Sequence, residues 1–167
     1  SSLTTALGEG LETLLASAER PGVQAAIDPA LYEAVGRLAR PHVVAGEEFA
    51  GNGVALRFVQ RIDALAQEGR LWRLPYGNPD LARADATGQL EQVLAWSRQA
   101  RGDSLTGLDS VAVLDDGAGA ALVAKLSEFD TVIVRNASGA VPGPPRILGA
   151  TAERTWASLP VGVRLAG

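Results

Sequence analysis

Short apolar runs alternate with helix-like stretches along this chain, and that alternation restricts its fold more than any other feature. Runs with the length and side-chain types of buried strands occur at 23–27, 71–74, 110–114, 131–134 and 161–165. Strands that alternate with helices predict βα units with parallel pairing and right-handed crossovers. We therefore predict an α/β fold, a parallel sheet of four to five βα units. The strand count fits a small open sheet, or part or all of an incomplete (β/α) barrel.

Local signals divide the segments between the strands into helices and loops. Asp28 can accept hydrogen bonds from the free amides of a following helix, and Pro29 suits the first helical position. Thr87 is predicted to cap a helix that continues to about Gln99, and Gly69 to end the helix at about 54–68. The predicted helices begin near residues 10, 29, 54, 81, 87, 120 and 151, and the predicted loops are 41–53 and 136–145.

The length of 167 residues favours a single α/β domain over residues 1–167. Cysteine and methionine are both absent. Without cysteine, disulfides and thiolate metal sites are excluded. A chain that starts at Ser1 rather than at an initiator methionine is expected to be a piece of a longer protein.

Several classes of function are disfavoured by charge and motif content. The net charge of −4 is spread along the chain, so no basic face for nucleic acid is expected. No apolar run approaches the ~20 residues of a membrane span, so this segment is predicted to make no membrane contact. No GxGxxG or Walker pattern predicts a cofactor. His42 is the only histidine, which argues against a metal site and a Ser-His-Asp triad and leaves its own role open.

The candidate ligand-binding residues follow the predicted strands directly. In a parallel sheet the carboxyl ends of the strands share one edge, where ligands usually bind. Acids grouped there suit general acid/base or glycoside chemistry, which places two carboxyls about 5–10 Å apart. Each acid could instead be a helix cap, and the Tyr-Gly-Asn segment an ordinary turn. The predicted set is Asp28, Tyr76, Asn78, Asp80, Asp115 and Asp116.

Two arginines next to predicted strands have a structural interpretation. Arg73 lies among apolar strand residues, so it is expected to pair with a carboxylate or to mark an edge strand. Arg135 has a similar position and could bridge to Asp115 or Asp116. We interpret both as structural ion-pairing residues.

Three motifs carry a resemblance to a known family: DPAL at 28–31, LPYGNPD at 74–80 and DDG at 115–117. In this order the chain resembles a large secreted, membrane-anchored actinobacterial family of unknown function that is typically encoded beside the lipid II flippase. The resemblance covers roughly residues 3–135, and the LPYGNPD loop is its specific part. It implies an extracytoplasmic α/β module of a cell-envelope protein, anchored through parts of the parent outside this chain.

The same resemblance connects the chain to the barrels of polysaccharide deacetylases and related glycoside hydrolases. The DDG loop at 115–117 resembles the first deacetylase motif, but the histidine pair of that metal site is missing. We therefore expect a non-catalytic or uncharacterised envelope domain that binds a glycan or a partner protein at the strand ends. The alternatives are a metal-independent glycosidase-like enzyme, a degenerate deacetylase-like hydrolase and a purely structural scaffold, which a flat rim or one covered by the loop 136–145 would favour.

Overall fold

The computed structural model describes residues 3–100, 105–114, 119–135, 146–150 and 161–165, which form six helices and eight strands. The helices are α1 (Leu3–Ala18), α2 (Pro29–Leu38), α3 (Gly53–Gln67), α4 (Leu81–Ala86), α5 (Leu90–Ala100) and α6 (Ala120–Lys125). The strands are β1 (Val23–Ile27), β2 (His42–Val44), β3 (Glu47–Phe49), β4 (Leu71–Arg73), β5 (Val111–Leu114), β6 (Thr131–Arg135), β7 (Arg146–Ala150) and β8 (Val161–Leu165).

Six of the eight described strands form two three-stranded sheets that meet at one point, and β2 pairs with β3 in a separate hairpin. The first sheet has the order β4-β1-β8 and the second β5-β6-β7. Strands β1 and β4 are parallel, as are β5, β6 and β7. A single parallel bridge between Arg73 and Ser110 connects β4 to β5, so five parallel strands follow one another in chain order across both sheets.

The predicted α/β class is confirmed, whereas the finer arrangement differs from the prediction. The described residues form two short three-stranded sheets and a two-stranded hairpin rather than four to five βα units, and they do not close a barrel. Strand β8 pairs with β1 antiparallel, with Val23 opposite Leu165, although a parallel sheet was expected. Strand β7 was not predicted. The pattern of residues 146–150 mixes glycine and arginine with apolar residues and has no clear period of two.

Apolar side chains on one face of the sheets pack against the helices in two clusters. Residues of β1 and β4 contact α1, α2 and α3, and residues of β5 and β6 contact α4, α5 and α6. A smaller cluster lies on the other sheet face and spans both sheets: Ala26, Leu74, Val111 and Ile133, with Trp72 against it. The helices therefore cover one face, and the small cluster joins the two halves of the core.

Two local predictions were wrong for identifiable reasons. Helix α1 begins at Leu3 rather than near Gly10, because the burial of Leu7 and Leu11 outweighs the helix-weakening glycines. Thr87 ends α4 instead of capping α5, and its hydroxyl donates back to the carbonyl of Arg83. The predicted loop 136–145 and helix 151–158 lie outside the described residues.

Residues 41–53, predicted as a loop, contain a β-hairpin. Ala45 and Gly46 form its two-residue turn with φ of 50° and 87°, which is the type I′ geometry that matches strand twist. The turn sequence Ala-Gly lacks the usual Asn or Asp signal, and the strands have only three residues each. Among the described helices, none is long and apolar enough to cross a lipid bilayer.

Candidate functional site

The carboxyl ends of β1 and β4 are level with each other. Ile27 lies opposite Arg73 in the parallel pair, so Asp28 and the loop of residues 74–80 leave the sheet at the same edge. This edge brings together four of the six predicted residues: Asp28, Tyr76, Asn78 and Asp80. We call residues 74–80 the β4–α4 loop.

Asp28 is a buried carboxylate, with 8 % of its surface exposed, and it binds two elements. Its Oδ1 atom accepts a hydrogen bond of 2.9 Å from the Ala30 amide, which caps α2 as the sequence predicts. The same oxygen accepts a second hydrogen bond of 2.9 Å from the amide of Gly77. Asp28 therefore attaches the β4–α4 loop to the start of α2.

Tyr76 is held from two further sides. Its backbone amide donates to Ser97 Oγ of α5 at 2.7 Å, and its hydroxyl donates to Glu33 Oε2 of α2 at 3.1 Å. The hydrogen bond to the Glu33 carboxylate raises the pKa of Tyr76, because a phenolate there would face a negative charge. The Tyr76 side chain is half-buried, so part of its ring remains accessible.

The tip of the loop is a tight turn. The Asn78 amide donates to the Pro75 carbonyl at 2.9 Å, and Gly77 has a φ of 76°, as a type II turn requires at that position. Asn78 also has a positive φ of 41°, which asparagine tolerates better than most residues. Gly77 and Asn78 are exposed, and the Asn78 side chain makes no hydrogen bond to another described residue.

The two described acids of the predicted set both act as helix caps. Asp80 is exposed, and its Oδ1 accepts from the Arg83 amide at 2.8 Å at the start of α4. Asp28 performs the same role at α2. The arrangement thus uses both carboxylates to fix backbone, as the capping alternative expected.

Asp115 and Asp116 lie outside the described residues, as does the side chain of Arg135. The register nevertheless places the end of β5 relative to β4. Ser110 lies opposite Arg73, and β5 then continues to Leu114, which is about 13 Å further along at the rise of a strand. The carboxyl end of β5 therefore lies further along than that of β4, so the predicted residues that follow these two strands do not leave the sheets at the same level.

A cleft with about 90 Å³ of internal space lies beside the β4–α4 loop. Polar groups from α5 and from the segment after α6 line it, and Arg98 Nη1 contacts both carboxylate oxygens of Glu128 at 2.8 Å. Its full lining is Pro29, Arg73, Leu74, Pro75, Tyr76, Leu94, Ser97, Arg98, Ser110, Glu128 and Phe129. The space holds a few water molecules or one small polar group of a ligand.

Arg73 is not on an edge strand, since β4 lies between β1 and β5. Asp130 is close enough for the positive charge of Arg73 to help lower its pKa. The larger causes of that lowering are the hydrogen bonds of 2.7 Å from the backbone amide and hydroxyl of Ser110. The structural role predicted for Arg73 agrees with this position at the junction of the two sheets.

Sequence reasoning missed Glu33, Ser97, Arg98 and Glu128 as neighbours of the loop. Ser97 did carry a signal, because it is a polar residue at the helical spacing of the buried Leu90 and Leu94. Glu33 and Glu128 had none, since each looks like an ordinary surface acid until the loop is placed. Their roles come from contacts between residues far apart in the chain.

His42 lies in the hairpin, and its ring stacks on Phe49 with centroids 5.6 Å apart. Its Nδ1 lies 2.9 Å from the Arg40 carbonyl oxygen. Among the described residues no group of three or more histidine, cysteine, aspartate or glutamate side chains is placed to hold a metal ion. His42 is therefore part of a separate surface from the β4–α4 loop.

No family model matches the chain, and no curated protein or solved structure shows significant similarity to it.

Proposed function

We propose that this chain is a non-catalytic domain of a cell-envelope protein that binds a glycan through the β4–α4 loop. One observation carries the proposal: three side chains, on the cap and body of α2 and on α5, accept hydrogen bonds from the loop, while its tip faces solvent. Asp28, Glu33 and Ser97 supply those hydrogen bonds. A loop fixed before binding loses little conformational entropy when a ligand arrives.

The groups at the loop suit a sugar. Tyr76 offers part of an aromatic ring, and Asn78 offers an exposed amide that can both donate and accept hydrogen bonds. The adjoining cleft adds the hydroxyl of Ser97 and the Arg98–Glu128 pair. A partner protein is the second ligand class for this site, but a cleft that admits one small polar group suits a sugar hydroxyl better than the broad surface of a protein interface.

Two of the motifs that carry the resemblance to the envelope family contact each other. The DPAL segment supplies Asp28, and the LPYGNPD segment supplies Gly77, whose amide donates to it. The five parallel strands in chain order, with helices on one face, suit an arc of a (β/α) barrel. Both features support the proposal of an extracytoplasmic module anchored through other parts of its parent.

A hydrolase that uses paired acids is the less favoured alternative. Asp28 and Asp80 are both engaged as helix caps, and such a mechanism needs one carboxyl to donate a proton and another to attack or to activate water. No observation on the described residues favours turnover over binding.

The test is a titration of the isotopically labelled chain with soluble peptidoglycan and arabinogalactan fragments, followed by amide chemical shifts. We expect shifts at residues 76–78, 80, 97 and 98. Asn78→Gly removes the side-chain amide but keeps a residue that tolerates positive φ, so binding should fall while stability is retained. Gln92→Ala removes an exposed amide on α5 and is the matched control.

Shifts confined to other surfaces, or equal binding by Asn78→Gly and the parent chain, would contradict the proposal. Release of shortened glycan products during the titration would instead establish the hydrolase alternative. Binding of neither fragment would leave a partner protein as the ligand class to test at the same loop, with the same two variants.

A further inference from the structure

The β-hairpin of residues 42–49 stands apart from both sheets. Among the described residues, its strands β2 and β3 pair only with each other. His42 is partly buried, whereas the other two residues of β2 and all three residues of β3 are exposed. Val43, Val44 and Phe49 have 64 %, 54 % and 44 % of their surface exposed. An isolated two-stranded hairpin is only marginally stable in water, so pairing with a third strand would stabilise this one.

The base of the hairpin is anchored to the helices on either side. The Asn52 amide donates to the Leu38 carbonyl at 2.9 Å, and the Asn52 side chain caps α3 by accepting from Val54 and Ala55. Gly51 passes so close to the carbonyl oxygen of Ala39 that a β-carbon would overlap it. The hairpin is therefore held at its base and projects its two outer edges.

The two outer edges differ in their backbone donors. Residues that flank a two-residue turn exchange both backbone hydrogen bonds, so Val44 pairs in this way with Glu47, and His42 with Phe49. The N–H and C=O groups of Val43 and Glu48 consequently point outward, on opposite edges. On the β2 edge, Pro41 directly precedes the strand at the base of the hairpin. It has no N–H, so that edge offers fewer donors to an added strand. The β3 edge has no proline.

The two edges also differ in charge. Glu47 and Glu48 lie on β3, whereas β2 carries no acid. A second copy pairing antiparallel through β3 would place Glu48 opposite Glu48, and like charges directly opposite each other are destabilising. A strand with basic side chains at those positions would gain from the same glutamates. Opposite Phe49, with Val44 and His42 behind it, an apolar side chain fits.

We propose that the outer edge of β3 binds an extended segment of a partner protein, with adjacent basic residues opposite Glu47 and Glu48 and an apolar residue opposite Phe49. The bound segment adds a third strand to the hairpin through the backbone groups of Glu48. This surface is separate from the β4–α4 loop and does not depend on the glycan proposal.

The probe is the peptide Thr-Val-Lys-Lys-Val-Thr, acetylated and amidated, compared with the same peptide carrying two glutamates in place of the lysines. We expect amide shifts at Gly46, Glu48 and Ala50 with the lysine peptide only. Higher salt should weaken its binding, because the contributing charges are exposed. Equal binding of the two peptides, or shifts elsewhere, would overturn the proposal.

Two proline variants separate the edges. Glu48→Pro removes the outward N–H of β3 while the hydrogen-bonded pairs of the hairpin remain, and binding should weaken by about tenfold or more. Val43→Pro makes the matched change on the β2 edge and should alter binding by less than about twofold. Equal losses in both variants would show that the β3 edge is not the binding element.

Two further measurements keep the proposal testable if Glu48→Pro does not fold. The double variant Glu47→Lys with Glu48→Lys should reverse the preference and bind the glutamate peptide. Sedimentation of the parent chain should show no dimer that depends on this edge. A concentration-dependent dimer that disappears in the double variant would assign the edge to a second copy and overturn the proposal.

Discussion

At the scale of single residues, one oxygen atom of Asp28 joins the start of α2 to the β4–α4 loop. The capping bond to Ala30 is local, whereas the bond to Gly77 crosses 49 residues of sequence. Among the described residues, Asp80 makes only the local kind of bond, to Arg83. The two aspartates therefore form a natural pair for comparing a cap that also organises a site with a cap that does not.

Replacing Asp28 with alanine should lower the free energy of unfolding by about 2 kcal/mol, because a helix cap and a second buried hydrogen bond are lost together. Asp80→Ala should cost about 1 kcal/mol, the value of a single cap. Urea unfolding of both variants measures the difference. Asp28→Asn keeps an acceptor oxygen, so its free energy of unfolding should lie between those of the two alanine variants. Equal losses of free energy in the two alanine variants would contradict the shared role of Asp28.

A second residue-scale prediction concerns acid stability. Hydrogen bonds from Ser110 hold the pKa of Asp130 below its ordinary value of 3.8. A carboxyl with a lowered folded pKa stabilises the fold above its unfolded pKa, and this contribution disappears as the pH falls through the folded value. The stability advantage of the parent chain over Asp130→Asn should therefore be complete at pH 6 and shrink below about pH 3.8.

The measurement is urea unfolding of both proteins at several pH values between 6 and about 2. Ser110→Ala removes the hydroxyl donor but keeps the backbone donor, so its acid loss should be smaller than that of the parent but not absent. An advantage that stays constant down to the lowest pH would show that the Ser110 contacts do not select the charged carboxylate.

At the scale of elements, glycines in helices and at close contacts have opposite roles. Gly10 lies on the exposed side of α1 with open space around its α-carbon, so it contributes only flexibility. Gly51 lies against the backbone of Ala39 at the base of the hairpin. The first could be replaced without steric cost, and the second could not.

Gly10→Ala should raise the free energy of unfolding by about 0.5–1 kcal/mol, because alanine loses less backbone entropy in a helix. Gly51→Ala should lower it by about 1–3 kcal/mol, because the new methyl group forces the hairpin base away from α2. Thermal unfolding followed by circular dichroism compares the two directly. A neutral Gly51→Ala would mean that the hairpin base shifts freely.

At the scale of the whole molecule, few contacts connect the two three-stranded sheets and their two core clusters. One bridge joins Arg73 to Ser110, one small cluster on the opposite face includes Leu74 and Val111, and the Tyr76 amide donates to Ser97 Oγ of α5. Each half has its own helices and its own buried leucines. Cooperative unfolding therefore depends strongly on this junction.

Leu74→Ala should cost about 3 kcal/mol and also separate the unfolding of the halves, because its cavity lies in the joining cluster. Leu65→Ala creates a similar cavity inside one half and should cost a similar amount without separating them. Hydrogen exchange of residues 23–73 and 111–134 in each variant measures the difference. Identical protection changes in both segments for Leu74→Ala would contradict a weak junction.

The sequence by itself determined the α/β class and the element boundaries that a local cap or glycine sets. A carboxylate before Pro29 and a glycine at position 69 act within a few residues, so the start of α2 and the end of α3 are confirmed, and Gly69 has the expected φ of 68°. The α/β class followed from the spacing of apolar residues for the same reason. Capping and periodicity are short-range effects that a sequence records directly.

Only the tertiary structure decided how these elements meet. The antiparallel pairing of β8, the step between β4 and β5 and the contact of Asp28 with Gly77 each join residues far apart in the chain. The hairpin and the role of Thr87 also went against local signals. Long-range pairing depends on which surfaces are buried together, and that is a property of the packed chain rather than of any segment in it.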